Sequence, residues 1–233
     1  MFKNMAVIKR FFIGLLYIFF SFLFTYICIS TALADTVGRF TDIRGDVSLK
    51  RIKTTIKPSI NDPVVIKDLV ITGEVSRTKL ILIDNSLLNI GNNSRVEITD
   101  FLLDRDTRKG IILIKTGALH AKAESLAVSN SRFEIRTPTA VIGARGTEWF
   151  TETEGEGTSI YSMSQSIAVY NPAYPNQMVT IPENHFSKVM KGSVPTPPQA
   201  YCPSDLHIIM KRWDLAGQQT SQKVKEGACE VKR

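Results

Sequence analysis

The sequence predicts an all-β domain, and three observations lead to this prediction. Between residues 36 and 200, short runs alternate apolar with polar side chains or are rich in β-branched residues. Residues suited to turns separate these runs, as in Asp84-Asn85-Ser86 and Gly91-Asn92-Asn93. No stretch in that range keeps the 3.6-residue apolar period of a helix over several turns.

Residues 1–34 are predicted to be a signal peptide. Lys9 and Arg10 end a basic start, an uncharged run covers residues 11–29, and Ala34 precedes Asp35 at a small-residue cleavage site. The uncharged run is long enough to approach a bilayer span, so an uncleaved anchor remains the alternative. In both cases the positive charges stay inside, and the rest of the chain is predicted to be periplasmic.

Strand-like runs then follow one another along the chain. They are Gly38–Arg51, Val64–Thr72, Thr78–Asp84, Leu87–Ile90, Ser94–Leu103, Gly110–Ile114, Gly117–Lys122, Leu126–Ser129, Arg132–Arg136, Ala140–Ile142, Thr147–Thr153, Thr158–Met163, Ser166–Tyr170 and Gln177–Ile181. Their spacing suits a sandwich or barrel, whereas their similar turns suit stacked coils. The inner face is predicted to hold Ile81, Ile83, Val96, Ile98, Ile112, Ile114, Phe133 and Ile135, with Arg95, Glu97, Glu134 and Arg136 outside.

The stretch from Arg132 to Phe150 is the most distinctive in the chain. A strand-like run, a Thr-Pro step and a second strand-like run contain Gly143 and Gly146, which flank Ala144 and Arg145. Glycine permits positive φ and close backbone approach, so Pro138, Gly143, Arg145, Gly146 and Thr147 are predicted to be a structural motif. For Arg145 two roles stay open, hydrogen bonding to buried carbonyls or contact with a ligand.

This stretch, T-P-T-A-V-I-G-A-R-G-T-E, resembles the signature of the FecR domain, a module of the bacterial envelope. The blocks Gly38–Arg51, Gly73–Ser94 and Lys115–Ala118 resemble other parts of that family in the same order. The resemblance implies a solenoid-like twisted β roll over residues 36–181. In the family's regulators the domain relays the state of an outer-membrane transporter to a cytoplasmic anti-sigma segment. Only ten residues precede the apolar run, so we expect a stand-alone secreted member that lacks this segment.

The last fifty residues have a different character. Residues 182–200 are predicted to be a Pro-rich linker, and residues 201–233 a tail with one helix, Ser204–Leu215, N-capped by Ser204. The helix is expected to dock on the roll, the alternative being that it presents an apolar stripe to a partner. With Cys28 removed, Cys202 and Cys229 form an even pair that export would oxidise to a disulfide, and two free thiols are the alternative.

Composition limits the classes of partner. Residues 35–233 hold 26 of the 29 basic and all 22 acidic residues, which leaves a net charge of +4. This balance favours association with anionic surfaces, and no nucleic-acid motif accompanies it. We therefore expect a protein or ligand of the envelope as partner, no nucleic acid, and a membrane only if residues 1–34 remain.

No catalytic constellation is evident in the sequence. His120, His185 and His207 lie in separate blocks without a nucleophile, and no Cys or His spacing suits a metal, so we predict no catalytic residues, cofactor or metal. The predicted function is non-enzymatic binding in envelope sensing or scaffolding. The alternative is a glycan-binding or glycan-cleaving protein. It would use an acidic corner with nearby aromatic side chains: Glu148, Glu152, Glu154, Glu156, Trp149, Phe150 and Tyr161.

Overall fold

A computed structural model describes residues 36–125 and 128–215 of the chain. The predicted signal peptide with its Ala34–Asp35 cleavage site lies outside these residues, and so does Cys229. Cleavage and the Cys202–Cys229 disulfide therefore stay predictions.

Seventeen strands and one helix make up the described part. In chain order they are β1 (Thr36–Arg44), β2 (Val47–Arg51), β3 (Thr54–Ile56), β4 (Pro63–Val65), β5 (Leu69–Thr72), β6 (Arg77–Leu82), β7 (Leu87–Ile90), β8 (Arg95–Leu103), β9 (Thr107–Lys122), β10 (Asn130–Arg136), β11 (Val141–Ala144), β12 (Glu148–Glu154), β13 (Gly157–Ser164), β14 (Ile167–Tyr170), β15 (Val179–Ile181), β16 (His185–Met190), β17 (Gln199–Ala200) and α1 (Pro203–Arg212). The all-β class with a short C-terminal helix is confirmed.

All seventeen strands belong to one hydrogen-bonded sheet that folds into two layers. Layer A has the order β4-β1-β6-β7-β9-β12-β13-β16-β17, and layer B has the order β3-β2-β5-β8-β9-β10-β11-β14-β15. The chain passes from layer to layer as it proceeds, which gives the roll-like winding. Neighbouring strands run antiparallel except for the parallel pair β9–β10.

Strand β9 joins the two layers. Its first part pairs with β8 and β10 in layer B, and its last part pairs with β7 and β12 in layer A. Gly117 stands at the change of layer with φ +98°, and a Cβ at this position would overlap Ser94. A residue with a side chain is strained in that conformation, so glycine permits the step between layers.

The core lies between the layers. Both layers contribute to it, for example Phe40, Leu80 and Leu119 from layer A and Leu49, Ile112 and Ile135 from layer B. Burial of apolar surface on this scale is the main driving force for such a fold.

One part of the predicted inner face is wrong. Ile83 is 47% exposed and Ile81 is half-buried, whereas Leu80 and Leu82 point inward. Both phases of the run Leu80-Ile81-Leu82-Ile83 are apolar, so alternation could not tell the two faces apart. The other six predicted positions are buried.

The sheet continues beyond Ile181. Strands β16 and β17 lie within the range predicted to be a linker, and β16 pairs with β13 in layer A. The prolines stand in the segments between these strands, where no ladder hydrogen bond is required of them. The segment after β16 folds back alongside this strand, and the Thr196 amide donates a hydrogen bond to the Lys188 carbonyl oxygen over 2.9 Å.

Helix α1 docks on the outer face of layer A, as predicted. Leu206, Met210 and Trp213 pack against Phe150 and Tyr161 in a second apolar cluster. The helix begins at Pro203 rather than Ser204, and its N-cap is Cys202, which makes no side-chain capping hydrogen bond. Proline is favoured at this first helical position because the amide there has no partner within the helix.

Candidate binding site

The Thr-Pro step between β10 and β11 is a structural corner. Pro138 lies in the bend, and the hydroxyls of Thr137 and Thr139 lie 2.8 and 2.7 Å from Thr158 Oγ1. Thr137 Oγ1 also accepts the amide of Ala140 over 2.9 Å. These buried contacts tie the corner to β13 in layer A.

The second glycine of the motif is also structural. Gly146 has φ +65°, and a Cβ there would lie 2.7 Å from the Cβ of Ser125. Thr147 follows it in a buried position, and its carbonyl accepts the amide of Ala123 over 2.9 Å. The two residues hold the start of β12 against the end of β9.

Gly143, in contrast, faces a groove. The only atom within 4 Å of a Cβ built on it, among the described residues, is the Ala168 carbonyl oxygen at 3.9 Å. Gly143 is opposite Glu134 on one side and Ala168 on the other, and Ala168 is opposite Thr180. Small side chains in this row leave a groove of about 500 Å³ on the outer face of layer B, which we call the layer B groove.

Glu134 lies at one wall of the layer B groove between two arginines. Arg132 Nε donates to Glu134 Oε1 over 2.6 Å, and Arg136 Nη2 donates to Glu134 Oε2 over 2.8 Å. Burial raises the pKa of the Glu134 carboxyl, but these hydrogen bonds outweigh burial and hold the pKa below its usual value. The carboxylate is therefore ionised at neutral pH, and two guanidinium groups share its single charge.

Arg145 is the remaining charged residue of the groove. It is exposed, it lines the groove, and it makes no hydrogen bond or ion pair within the part of the chain that the structure describes. No hydrogen bond from Arg145 to a buried carbonyl occurs among the described residues, so its position favours the second role, contact with a ligand. Arg132, Arg145 and Glu134 give the lining a net charge of +1, and Arg136, bound to Glu134, adds a further positive charge beside it. The groove is therefore suited to an anionic group.

His120 and Glu148 form a buried polar pair elsewhere, on the outer face of layer A. His120 Nε2 lies 2.8 Å from Glu148 Oε1, and its Nδ1 lies 3.0 Å from Asn89 Nδ2. Both side chains are at least nine-tenths buried. Neither atom pair is open to a substrate, and His185 and His207 lie apart from them on β16 and α1.

The aromatic residues of the predicted acidic corner do not form a glycan platform. Trp149 and Phe150 have no exposed surface, Trp149 in the core and Phe150 under α1. Glu152 accepts hydrogen bonds from Arg212 and from the Trp213 indole over 2.6 and 2.8 Å. Glu152 thus anchors the end of the helix, because its carboxylate accepts both hydrogen bonds.

Tyr161 in the helix-docking cluster makes folding sensitive to alkaline pH. Burial and the nearby Glu152 raise the pKa of its hydroxyl to about 12 from the ordinary 10.0. Because the folded-state pKa is raised, this contribution to stability is complete below pH 10 and is lost as pH rises through 12.

Tyr161→Phe should therefore remove part of the alkaline destabilisation. Between pH 9 and 12 wild type should lose of the order of 2 kcal/mol more than Tyr161→Phe, as measured by urea unfolding across that range. Tyr174→Phe, at the surface, should follow wild type. Parallel curves for wild type and Tyr161→Phe would contradict the prediction.

The fold and groove together define an all-β module of two layers with a cationic groove on one face. The model of the FecR protein family matches residues 68–165, and this part of the chain is a FecR domain. The matched range runs from the start of β5 to the end of β13 and includes Glu134, Gly143 and Arg145.

The solved structures that resemble this chain include two crystal structures of a "putative anti-sigma factor" from Parabacteroides distasonis ATCC 8503. One is 12% identical with a TM-score of 0.47, and the other is 11% identical with a TM-score of 0.48. Each similarity covers 63% of this chain and 74% of the other. No curated protein matches the sequence. Among the described residues, no helix is both long and apolar enough to span a membrane.

Proposed function

We propose that this chain is a non-enzymatic, exported protein of the bacterial envelope whose FecR domain binds an acidic segment of another envelope protein in the layer B groove. Export rests on the pattern of residues 1–34, and the envelope setting rests on the family. A role in sensing or scaffolding follows if the bound segment belongs to a receptor or to a structural protein.

The single observation that carries the proposal is the position of Arg145. An exposed guanidinium without a partner among the described residues stands beside the open space over Gly143. A carboxylate in the groove could accept the paired N–H groups of Arg145, while the row of small residues admits the backbone of an extended segment. Arg132 and Arg136 add positive charge that Glu134 only half compensates.

Binding rather than catalysis fits the remaining polar residues. His120 and Glu148 are buried against each other and against Asn89, so no general base of this pair reaches the groove. Stacking on a sugar requires an exposed ring face, and Trp149, Phe150 and Tyr161 are all buried. These rings therefore do not support the glycan-binding alternative.

Site-specific crosslinking from the groove tests the proposal. Ser166 is exposed and lines the groove outside the row of small residues, and replacing it with a photoreactive p-benzoylphenylalanine places a probe there. In cells with the protein at native level, irradiation should give one predominant protein adduct. Adding Arg145→Glu should reduce that adduct at least about tenfold, because reversing the charge both removes a paired contact and introduces repulsion.

The matched control is Arg105→Glu, which reverses an exposed arginine in the turn between β8 and β9. It should leave the adduct unchanged. Equal adducts in Arg145→Glu and Arg105→Glu, with both proteins folded and equally abundant, would contradict a role for the groove.

A further inference from the structure

A second feature lies away from the groove, at the edge of layer B. Strands β2 and β3 form a hairpin whose sequence from residue 50 to 57 is K-R-I-K-T-T-I-K. Its two-residue turn consists of Ile52 and Lys53, because Arg51 is opposite Thr54. Ile52 at the tip is 87% exposed.

Ile52 is unfavourable for stability in two respects. Its φ of +55° is a conformation that β-branched residues rarely adopt and that hairpins normally assign to Gly or Asn. Its side chain gains almost no burial in exchange. A strained and exposed apolar residue is typical of a site that contacts something outside the domain.

Strain alone does not identify such a site, as Val75 shows. It has φ +51° and is 65% exposed in the turn between β5 and β6, at the opposite end of layer B. The difference is in the neighbours, since Val75 follows an acidic residue, Glu74, whereas Ile52 stands between Arg51 and Lys53.

The hairpin is strongly cationic. Residues 50–68 contain five basic and two acidic residues, a net charge of +3. Lys50, Lys53 and Lys57 are exposed, and none of them makes an ion pair with another described residue.

A second turn of the same character is fixed beside the tip. Buried Asp68 accepts hydrogen bonds from Arg51 Nε and Nη2 over 2.8 and 2.7 Å and from the Val65 amide over 2.8 Å. This holds the turn at Ile66 and Lys67, both exposed, next to the hairpin. Two turns at one end of layer B thus each present an isoleucine next to lysines.

We propose that these two turns, at residues 52–53 and 66–67, dock the domain on an anionic lipid surface. Ile52 enters the boundary between headgroups and acyl chains, and the surrounding lysines contact lipid phosphates. A lipid surface fits better than an acidic protein. A projecting two-residue turn offers far less area than a stable protein interface needs, whereas insertion of single apolar side chains suits a lipid interface.

Hydrogen exchange of the whole chain bound to vesicles tests this inference. Two vesicle types are compared, phosphatidylcholine alone and phosphatidylcholine with one quarter phosphatidylglycerol. Residues 1–34 are the same in every variant, so any differences between variants report on the rest of the chain. Amides of residues 51–57 and 66–68 should exchange more slowly on anionic vesicles than on neutral ones, while those of residues 73–76 should not.

Two glycine variants separate docking from folding. Ile52→Gly should raise the melting temperature, because glycine relieves the positive φ, and should abolish the protection on anionic vesicles. Val75→Gly should raise the melting temperature for the same reason and leave the protection intact.

Charge reversal supplies the second test. Lys53→Glu should weaken binding to anionic vesicles by more than about fivefold and lower the protection accordingly, since loss of one cation near an anionic surface is worth about fivefold in binding and the new carboxylate adds repulsion. Lys188→Glu reverses another exposed lysine, on β16, and should have no effect. Equal protection on neutral vesicles, no protection on either, or the same loss in Ile52→Gly and Val75→Gly would overturn the proposal. Protection by an acidic protein in place of anionic vesicles would also overturn it.

Discussion

Arg108→Ala should lower the free energy of unfolding by about 3–5 kcal/mol, among the largest single-residue effects expected in this chain. Arg108 is the second residue of the long strand β9, and its side chain is not exposed. Its Nε donates to Asp84 Oδ2 and its Nη2 to Ser86 Oγ, each over 2.7 Å, and its Nη1 donates to Glu124 O over 2.8 Å.

The size of the effect follows from what the substitution leaves behind. Asp84 is equally buried, so without Arg108 its carboxylate would be an uncompensated charge in a low-dielectric interior. The guanidinium also stacks over the Phe133 ring at 4.5 Å, and that contact would be lost as well. The network therefore joins β9, the β6–β7 turn and β10, which come from three separate parts of the sequence.

Urea unfolding monitored by circular dichroism measures the loss. Arg108→Lys keeps the charge but lacks the planar fork of donors, so we expect it to recover less than half of the lost stability. Arg105→Ala, three residues earlier and exposed, should change stability by less than about 0.5 kcal/mol. A cost below about 1 kcal/mol for Arg108→Ala would contradict a structural role for the buried ion pair.

This network was not predicted from the sequence, and the reason is physical. Arg108 lies in a charged stretch between the predicted strands Ser94–Leu103 and Gly110–Ile114, and such a composition predicts a solvent-exposed turn. Asp84-Asn85-Ser86 was assigned to a turn on composition alone, and it is a turn. That its side chains accept hydrogen bonds from a residue 24 positions away depends on tertiary contacts that local pattern does not encode.

The alternation of apolar and polar residues predicts the buried face correctly where a strand has one apolar face. Phe133 and Ile135 alternate with Arg132, Glu134 and Arg136, and the structure buries the first two in the core and puts the other three on the outer face. Where both phases are apolar, as at Ile81 and Ile83, the choice of face depends on the partner strands. The sequence could not settle it.

The layer B groove also depends partly on local sequence and partly on how the strands pair. The sequence predicts a backbone role for both glycines of the motif, and Gly146 has the positive φ that favours glycine. Gly143 has ordinary strand geometry, and its missing side chain matters only because Ala168 and Thr180 lie in register beside it. A row across three strands is visible only after the strands have been paired.

Trp149→Ala is the second substitution with a large expected effect, a loss of about 3–5 kcal/mol in the free energy of unfolding. Trp149 is completely buried in β12 and meets the Phe133 ring edge to face, with centroids 6.3 Å apart and an interplanar angle of 81°. Removing the indole leaves a cavity between the two layers, because the strands that line it are fixed by their ladders and cannot close it fully.

A smaller aromatic ring should restore most of this loss. Trp149→Phe keeps the contact with Phe133 and removes an indole N–H that has no hydrogen-bond partner within the described residues. We expect it to cost about 1–2 kcal/mol, less than half of the alanine effect, as the remaining cavity is smaller. Circular dichroism is the appropriate signal, because substitution of Trp149 itself alters the fluorescence.

Trp149→Ala also distinguishes a tryptophan in the core from one in an exposed aromatic platform. A surface tryptophan that stacks on a glycan could be replaced by alanine at a cost near zero, and Met178→Ala, at a position that is 60% exposed, gives that reference value. If Trp149→Ala were as stable as Met178→Ala, the packing between the layers at β10 and β12 would be wrong. If Trp149 fills the space between the two layers, Trp149→Ala should lose much of the free energy of unfolding, and Trp149→Phe should recover part of that loss.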